Sequence, residues 1–316
     1  MRERDTHSGP VSDGVEQVDE GGVLPPAYYP PTLGDKLRSF GEGVRLRFSS
    51  KETLIVGPYA GEFGHEIMNF QSYVRWLRRK YREVHVITYP GREPLYRGCV
   101  VHSHHHDLRT AGYSYGRISH AQIRAEAHEF ARAHQIAIYD LFSTVHLCTR
   151  WHRRLLFGQE HEVIAPVKPS RPNQRILFHF RSIQKAGWDQ DRNFRPDLAE
   201  EVCRLCRLSG LEVACIGHPK YALSPRGSQD RRTEDLEATV AEIAACRLVV
   251  GELSGPLHLA AYGGKPIVIW APDKERLVNV FRRNPFNVKV FVVRDDTTNP
   301  SPQEILAAVQ GAIAAL

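Results

Sequence analysis

Short apolar runs alternate with stretches of helical periodicity along most of the chain. Apolar runs bounded by glycine, proline or polar residues predict buried strands, at residues 53–56, 84–88, 136–140, 175–182, 211–217, 247–250, 266–270 and 288–293. Apolar residues three and four positions apart predict amphipathic helices, at residues 65–80, 119–134, 144–157, 196–208, 234–246, 273–283 and 301–316. This alternation is typical of an α/β fold built on parallel sheets.

Two segments without periodicity divide the chain. Residues 1–50 are rich in Gly, Pro, Asp and Glu, which predicts a disordered tail and an extended strap. Residues 165–173 are proline-rich and predict an interdomain linker. We therefore expect Rossmann-like domains at 51–164 and 165–295, facing each other across a cleft. A closing helix within 296–316 can cross back to the first domain.

The stretch from residue 249 to 272 carries the strongest signal for a binding site. It predicts a strand, a polar turn around Ser254, a short helix with His258, and a second strand. In open parallel sheets, ligands bind at the carboxyl ends of the strands. Gly255 allows a ligand to approach the backbone closely, and Pro256 suits the first helical turn. The unpaired N–H groups, the Ser254 hydroxyl and the helix dipole together predict an anion site, with phosphate as its ligand.

The same stretch resembles the nucleotide-sugar signature of bacterial heptosyltransferase-like glycosyltransferases. The matching residues are Val249, Val250, Gly251, Ser254, Gly255, Pro256, Leu257, His258, Leu259, Ala260, Ala261, Gly264, Lys265 and Pro266. Those enzymes have the two-domain GT-B fold. The resemblance implies that the turn from Ser254 to Pro256 contacts the donor diphosphate and that His258 lies near it. The family usually has an acid directly before the serine or threonine, whereas here Leu253 has that place and the donor-binding acid, Glu252, stands one residue earlier.

A glycine-rich loop with titratable residues lies between the first strand and the first helix. Gly61 and Gly64 make the loop flexible, and Glu62, His65 and Glu66 cluster where the second domain would close. One of these three groups, Glu62 before the others, is predicted to be the base that deprotonates an acceptor hydroxyl. The alternative is that Glu62 and Glu66 only cap the helix, since acids are favourable in its first turn.

Two shorter segments of the chain resemble motifs of fucosyltransferases. The loop is similar to their G-G-x-G-N-Q loop at Gly61, Phe63, Gly64 and Ile67, and it departs at Glu62, His65 and Glu66. Fucosyltransferases also carry an H-x-R similar to His179 and Arg181, which implies that Arg181 contacts the β-phosphate of the donor. Alternation along the strand puts both side chains on one face, and a guanidinium fork matches phosphate oxygens. Pairing of Arg181 with a nearby acid is the alternative.

Further donor contacts are predicted near the ends of strands in the second domain. Gly217 ends the strand at 211–217 and His218 follows it, at a place where a nucleotide base or ribose commonly lies in GT-B folds. Lys185, in the loop after Arg181, is a further cation for the leaving diphosphate. Thr233 is predicted to cap the following helix.

The composition limits other classes of function. The chain has 316 residues, a net charge of +6 and a pI near 9.0, a charge that suits phosphorylated small molecules as well as nucleic acid. No helix-turn-helix or aromatic-interleaved basic motif is present, so nucleic acid is not a predicted partner, and a basic nucleic-acid-binding surface stays an alternative. There is no apolar stretch of about 18 residues and no signal peptide, which predicts a cytoplasmic protein without a transmembrane segment.

No metal site is predicted. Six cysteines are scattered, and the lone C-x-x-C at Cys203 and Cys206 has no second pair, so reduced cytosolic thiols are expected. The run from His102 to His106 has metal-binding atoms, but without spaced partners it predicts a solvated or substrate-facing loop. A zinc-protease H-E-x-x-H beginning at His65 is excluded because position 69 is asparagine.

These patterns together predict a GT-B glycosyltransferase. The sequence leaves the sugar, the nucleotide base, the acceptor and the oligomeric state open. The enzyme would move a sugar from a nucleotide-sugar donor to a hydroxyl of a small molecule or glycan, with inversion and without a metal or other cofactor. The alternatives are a sugar-nucleotide epimerase of the same fold and, because of Leu253, a catalytically inactive nucleotide-sugar-binding protein.

Overall fold

The structure is a computed structural model, and it describes most of the chain. The described residues are 51–59, 63–103, 120–135, 160–183, 190–282 and 284–316, together with 33, 34, 37, 41 and 44. The predicted strand at 136–140, the predicted helix at 144–157 and most of the predicted tail lie outside these residues.

The first half contains a parallel three-stranded sheet. Its strands lie side by side in chain order, as β1 (Lys51–Val56), β2 (Tyr81–Thr88) and β3 (Val100–Ser103). The predicted helix after β1 begins with a short helical turn and a π-helix and continues as a regular helix, at Phe63–His65, Glu66–Phe70 and α1 (Gln71–Arg78). Helix α1 packs its apolar side against β2, with Val74 and Leu77 fully buried. The predicted helix at 119–134 is confirmed as α2 (His120–Ala133).

The second half contains a parallel six-stranded sheet. Its strands are β4 (Ile176–His179), β5 (Val213–Cys215), β6 (Gln229–Asp230), β7 (Leu248–Glu252), β8 (Ile267–Trp270) and β9 (Val290–Val292). Its helices are α3 (Pro196–Leu208), α4 (Leu236–Ala245), α5 (Gly255–Tyr262), α6 (Lys274–Arg282) and α7 (Pro302–Ala315). The strand order is β6-β5-β4-β7-β8-β9, which is the order of a doubly wound nucleotide-binding fold. The predicted α/β class with parallel sheets is therefore confirmed.

Buried apolar side chains form a core that both halves share. It contains Leu54 and Val86 of the first half together with Val249 and Tyr262 of the second. A second core covers the opposite face of the six-stranded sheet, because neighbouring strand residues point to opposite sides. The predicted closing helix, α7, packs there against α3, β8 and β9, all in the second half, although the sequence allows a return to the first.

Three local predictions are wrong. His102 lies in β3 instead of a loop, and its ring stacks on that of His85 with 5.1 Å between centroids. Glu252 is the last residue of β7 instead of part of the following turn. Asp235, not Thr233, caps α4: its side chain accepts hydrogen bonds from the backbone N–H groups of residues 237 and 238.

Candidate functional site

The strand order of the second half singles out one place for a ligand. From β4 the chain adds β5 and β6 toward one edge of the sheet, and it then adds β7, β8 and β9 toward the other edge. The parallel neighbours β4 and β7 therefore mark the switch point in strand order. Ligands of doubly wound folds bind outside the carboxyl ends of the strands at this switch point. His179 ends β4 and lies opposite Gly251, and Ser254 follows β7 by two residues. The fold therefore brings the predicted H-x-R strand and the predicted anion turn together.

His179 is a buried, neutral histidine that contacts Ser254. Its side chain is 5% exposed, and its Nδ1 lies 3.0 Å from Ser254 Oγ, within hydrogen-bond distance. Burial, and secondarily the charge of Arg181, lower the pKa of His179 to about 4. The ring packs on Gly217, where an added Cβ would lie 2.7 Å from His179 Cδ2. Gly217 also has φ +117°, a backbone conformation that other residues adopt only with strain. Glycine at position 217 therefore leaves the space that the imidazole of His179 occupies.

The turn from Ser254 to Pro256 opens helix α5. Ser254 is the N-cap residue, yet its side chain makes no capping hydrogen bond because its hydroxyl faces His179. The first N–H groups of α5 are therefore not capped by this side chain, and Pro256 stands in the first turn as predicted. Such a helix start, with a hydroxyl beside it, can bind an anion.

The glycine loop of the first half lies against the same helix. Gly64 faces His258, because an added Cβ on Gly64 would lie 3.3 Å from His258 Cδ2. Phe63 covers Gly255, where an added Cβ would meet the Phe63 ring at 2.7 Å. His65 follows in the same helical turn and is half-buried. The loop predicted to carry the base and the turn predicted to bind phosphate are thus in contact.

Arg181 and Glu252 belong to a buried charged group behind this turn. Arg181 is 4% exposed, and its Nη1 donates to Asn193 Oδ1 at 3.4 Å. Arg192 Nε donates to Glu252 Oε1 at 2.6 Å, and Glu252 is also almost fully buried. Burial raises the pKa of Glu252, and the charges of Arg192 and Arg181 oppose that shift. Each interpretation of Arg181 is supported by one observation. Its charge acts on Glu252, as expected for pairing with an acid, and it follows His179 by two residues, close to the switch point, as expected for a donor contact.

His218 lies at the next strand end. It follows β5, its ring lies 4.6 Å from that of Tyr221 in a tilted arrangement, and its Nε2 lies 3.3 Å from Glu234 Oε1. Burial is the largest cause that lowers its pKa, and the charges of Lys220 and Arg92 act in the same direction. The effect of Arg92 puts a cation of the first half near this histidine.

Glu66 lies in the interior of the first half. Its side chain has no exposed area, and its Oε1 accepts hydrogen bonds from Thr88 Oγ1 at 2.5 Å and from Tyr96 Oη at 2.8 Å. Its Oε2 lies 3.4 Å from Arg92 Nε. Burial raises the pKa of Glu66, and the charge of Arg92 is the largest influence that lowers it. The structure thus separates Glu66 from solvent.

Two residues at the site, Phe63 and Arg92, have no functional role in the sequence prediction. The guanidinium carbon of Arg92 lies 4.0 Å from the centroid of the Phe63 ring, and the same ring lies against Gly255. The available signal for Arg92 is its place in the turn after β2, at the carboxyl end of a parallel strand. Phe63 is an apolar residue in a glycine loop and carries no comparable signal.

Three predicted site residues lie outside the described part of the chain. They are Gly61, Glu62 and Lys185. Within the described part, no group of three or more His, Cys, Asp or Glu is arranged to hold a metal ion. The described helices are also too short or too polar to cross a membrane.

Comparisons with known proteins find the same fold in solved structures. A glycosyl transferase family 9 structure from Veillonella parvula superimposes with a TM-score of 0.55 at 11% identity, over 85% of this chain and 99% of that one. The E. coli ADP-heptose LPS heptosyltransferase II superimposes with a TM-score of 0.53 at 15% identity, over 84% and 99%. No protein-family model matches the chain, and no curated protein sequence matches it. The structural similarity confirms the predicted GT-B fold.

Proposed function

We propose that this protein is a glycosyltransferase that uses a nucleotide-sugar donor. The observation that carries the proposal is the geometry at the switch point, where the start of α5, Ser254 and neutral His179 meet the glycine loop. A diphosphate suits this arrangement because amides and a hydroxyl can share its charge. Two of the solved structures with this fold are a glycosyl transferase of family 9 and the ADP-heptose LPS heptosyltransferase II, and they support the class of reaction.

In the proposed reaction, the bond between the anomeric carbon and the β-phosphate oxygen breaks, and the acceptor oxygen forms a new bond to that carbon. The electron pair leaves with the nucleoside diphosphate, and the acceptor proton passes to a base. Charge that develops on the diphosphate would be stabilised by the first amides of α5, the Ser254 hydroxyl and the cations Arg181 and Lys185. We propose that no metal takes part and that the anomeric configuration inverts, since one direct displacement suffices. Gly217 and His218 would lie at the base or ribose.

The base is proposed to come from the glycine loop. Glu62 is the first choice, with His65 next, because Glu66 has no exposed area with which to reach an acceptor. Glu62→Gln should lower turnover by about 100-fold or more, since general bases contribute about 10² to 10⁴. Glu66→Gln and the double variant, compared with Glu62→Gln, reveal whether Glu66 has a share. Turnover of Glu62→Gln within about tenfold of the original would rule out Glu62 as the base.

The first experiment is a thermal-shift panel with ADP, GDP, UDP, CDP and dTDP, each with and without EDTA. A ligand at about 100 times its Kd adds about 2.7 kcal/mol, which raises the melting temperature by several degrees. We expect one nucleotide to raise it equally with and without EDTA. A shift that EDTA abolishes would contradict metal independence. No shift with any of the five would contradict the proposed function.

A further inference from the structure

A fully buried carboxylate of the first half has no part in the proposed proton transfer. Glu66 is held by donors from two other segments, Thr88 at the end of β2 and Tyr96 after the next turn. Both donate to Oε1, so Oε2 is left toward Arg92 Nε. Burying a carboxylate is costly unless a counter-charge and hydrogen bonds compensate it. Helix capping does not account for a carboxylate held in this way, whereas an interaction of Glu66 with Arg92 does.

Arg92 is fixed from two sides and still reaches solvent. Its Nε is buried beside Glu66, and the face of its guanidinium lies over the Phe63 ring. The side chain is nevertheless 25% exposed. Since Nε itself is buried, the exposed area belongs to other atoms, among which the two terminal amino groups are the donors. An arginine held in this way loses little conformational entropy when it binds an anion.

The position of Arg92 relates it to the anion site of the second half. The Phe63 ring that contacts its guanidinium also covers Gly255, the first residue of α5. On another side, the charge of Arg92 acts on His218 at the end of β5. Arg92 therefore faces the start of α5 and the end of β5 from the opposite half. Arg181 and Arg192 differ from it because they belong to the second half, where Asn193 accepts a hydrogen bond from Arg181 and Glu252 accepts one from Arg192.

We propose that Arg92 is the cation through which the first half binds the diphosphate of the donor, and that Glu66 is a positioning residue that orients Arg92. This inference rests on the proposed function and adds the contact that closes the anion site from its other side. When the sugar leaves, the guanidinium would donate to oxygens whose negative charge increases, so its contribution grows toward the transition state. Glu66 acts through Arg92 and touches neither substrate.

The test compares Arg92→Met with a matched control, Arg82→Met. Arg82 lies on β2 of the same half and is 74% exposed, so its replacement removes the same charge away from the site. Calorimetric titration uses the nucleoside diphosphate that shifts the unmodified protein and the corresponding monophosphate. We expect Arg92→Met to weaken diphosphate binding by about tenfold or more, since a charge-assisted hydrogen bond is lost, and to change monophosphate binding much less. Arg82→Met should bind as the original does.

Glu66→Gln tests the positioning role. It should weaken diphosphate binding in the original background and add no further loss to Arg92→Met, because a residue that acts through Arg92 has nothing left to orient. Additive losses would overturn the role of Glu66. Unchanged diphosphate binding by Arg92→Met would overturn the role of Arg92. The test of Arg92 does not require that Glu66→Gln folds. In both cases binding by the original protein leaves the proposed function standing. Failure of the original protein to bind any of the five diphosphates would overturn both proposals.

Discussion

Ser254 and His179 are 75 residues apart in the chain and form a pair only because β4 and β7 are neighbours. A neutral imidazole carries one N–H. If Nδ1 holds it, the histidine donates to Ser254 Oγ and the serine hydrogen is available to a phosphate oxygen. The pair thus determines whether the Ser254 hydroxyl can serve as a donor to a ligand.

Replacing Ser254 should weaken diphosphate binding. Ser254→Ala removes a donor from the proposed anion site, and we expect affinity to fall by about tenfold or more, as for one hydrogen bond to a charged group. Ser254→Thr keeps the hydroxyl and should retain most of the affinity. The control is Ser209→Ala, at an exposed serine after α3. Titration calorimetry measures all three, and equal affinities of Ser254→Ala and the original protein would contradict a hydroxyl contact.

The pKa of His179 links stability to pH. In the folded protein it is about 4, against an ordinary 6.5, so between these values the unfolded chain binds a proton that the folded chain does not. The free energy of unfolding should therefore decrease as pH falls from 6.5 toward 4. His179→Asn should make this decrease shallower, by up to about 1.4 kcal/mol per pH unit. Urea unfolding at several pH values measures the slope, and identical slopes in both proteins would show that His179 is not held neutral by the fold.

The sequence predicts the groups of the proposed anion-binding turn, because Ser254, Gly255 and Pro256 are consecutive and their local chemistry needs no partner. It does not predict the contact of Phe63 with Gly255 or the one between Glu66 and Arg92. Both depend on how distant segments pack, and neither apolar spacing nor capping chemistry contains that information. Glu66 shows the consequence, since an acid in a glycine loop looks accessible in sequence and is fully buried in the fold.

At the scale of elements, the start of α5 contacts the glycine loop of the first half. Gly255→Ala would put a methyl group 2.7 Å from the Phe63 ring. Helix propensity favours alanine, but an overpacked contact costs about 1–3 kcal/mol, so we expect net destabilisation and weaker diphosphate binding. The control is Gly311→Ala in α7, where nothing lies within 4 Å and alanine should stabilise by about 0.5–1 kcal/mol. Thermal unfolding of both variants checks the opposite signs, and a stabilised Gly255→Ala would contradict the tight contact.

Long periodic elements are predicted well, whereas short or irregular ones are not. Helices α2 and α3 follow from apolar spacing alone, and strands β7 and β8 from their apolar runs. The π-helix at Glu66–Phe70 keeps helical spacing and so cannot be distinguished from an α-helix in the sequence. Strand β6 consists of two exposed residues, and it is a strand only because they pair with β5. Near α4, Thr233 and Asp235 are both good caps, and the backbone decides between them.

At the scale of the whole molecule, the shared core couples the halves. Tyr262 of α5 is 1% exposed, belongs to the core that includes Phe70 and Val86, and donates its hydroxyl to the carbonyl of Met68 at 3.3 Å. Arg97 Nη2 adds two hydrogen bonds to the Glu237 carboxylate, at 2.8 and 3.0 Å, across the same boundary. A sequence divided at a proline-rich linker predicts two units, and packing of this kind makes their unfolding interdependent.

Calorimetry should therefore show one unfolding transition for both halves. Tyr262→Ala removes a large buried side chain from the boundary and should cost about 3 kcal/mol or more, moving the whole transition to lower temperature without splitting it. Leu208→Ala, at a side chain of the second half that is 73% exposed, should leave the transition almost unchanged. The chain has four tryptophans, of which Trp76 lies in the first half and Trp270 in the second, so variants that keep only Trp76 or only Trp270 of the four report each half by fluorescence. Coincident melting curves are expected. Two separate transitions, of which Tyr262→Ala shifts only that of the second half, would mean that the halves fold independently and that the proposed anion site can open where the halves meet.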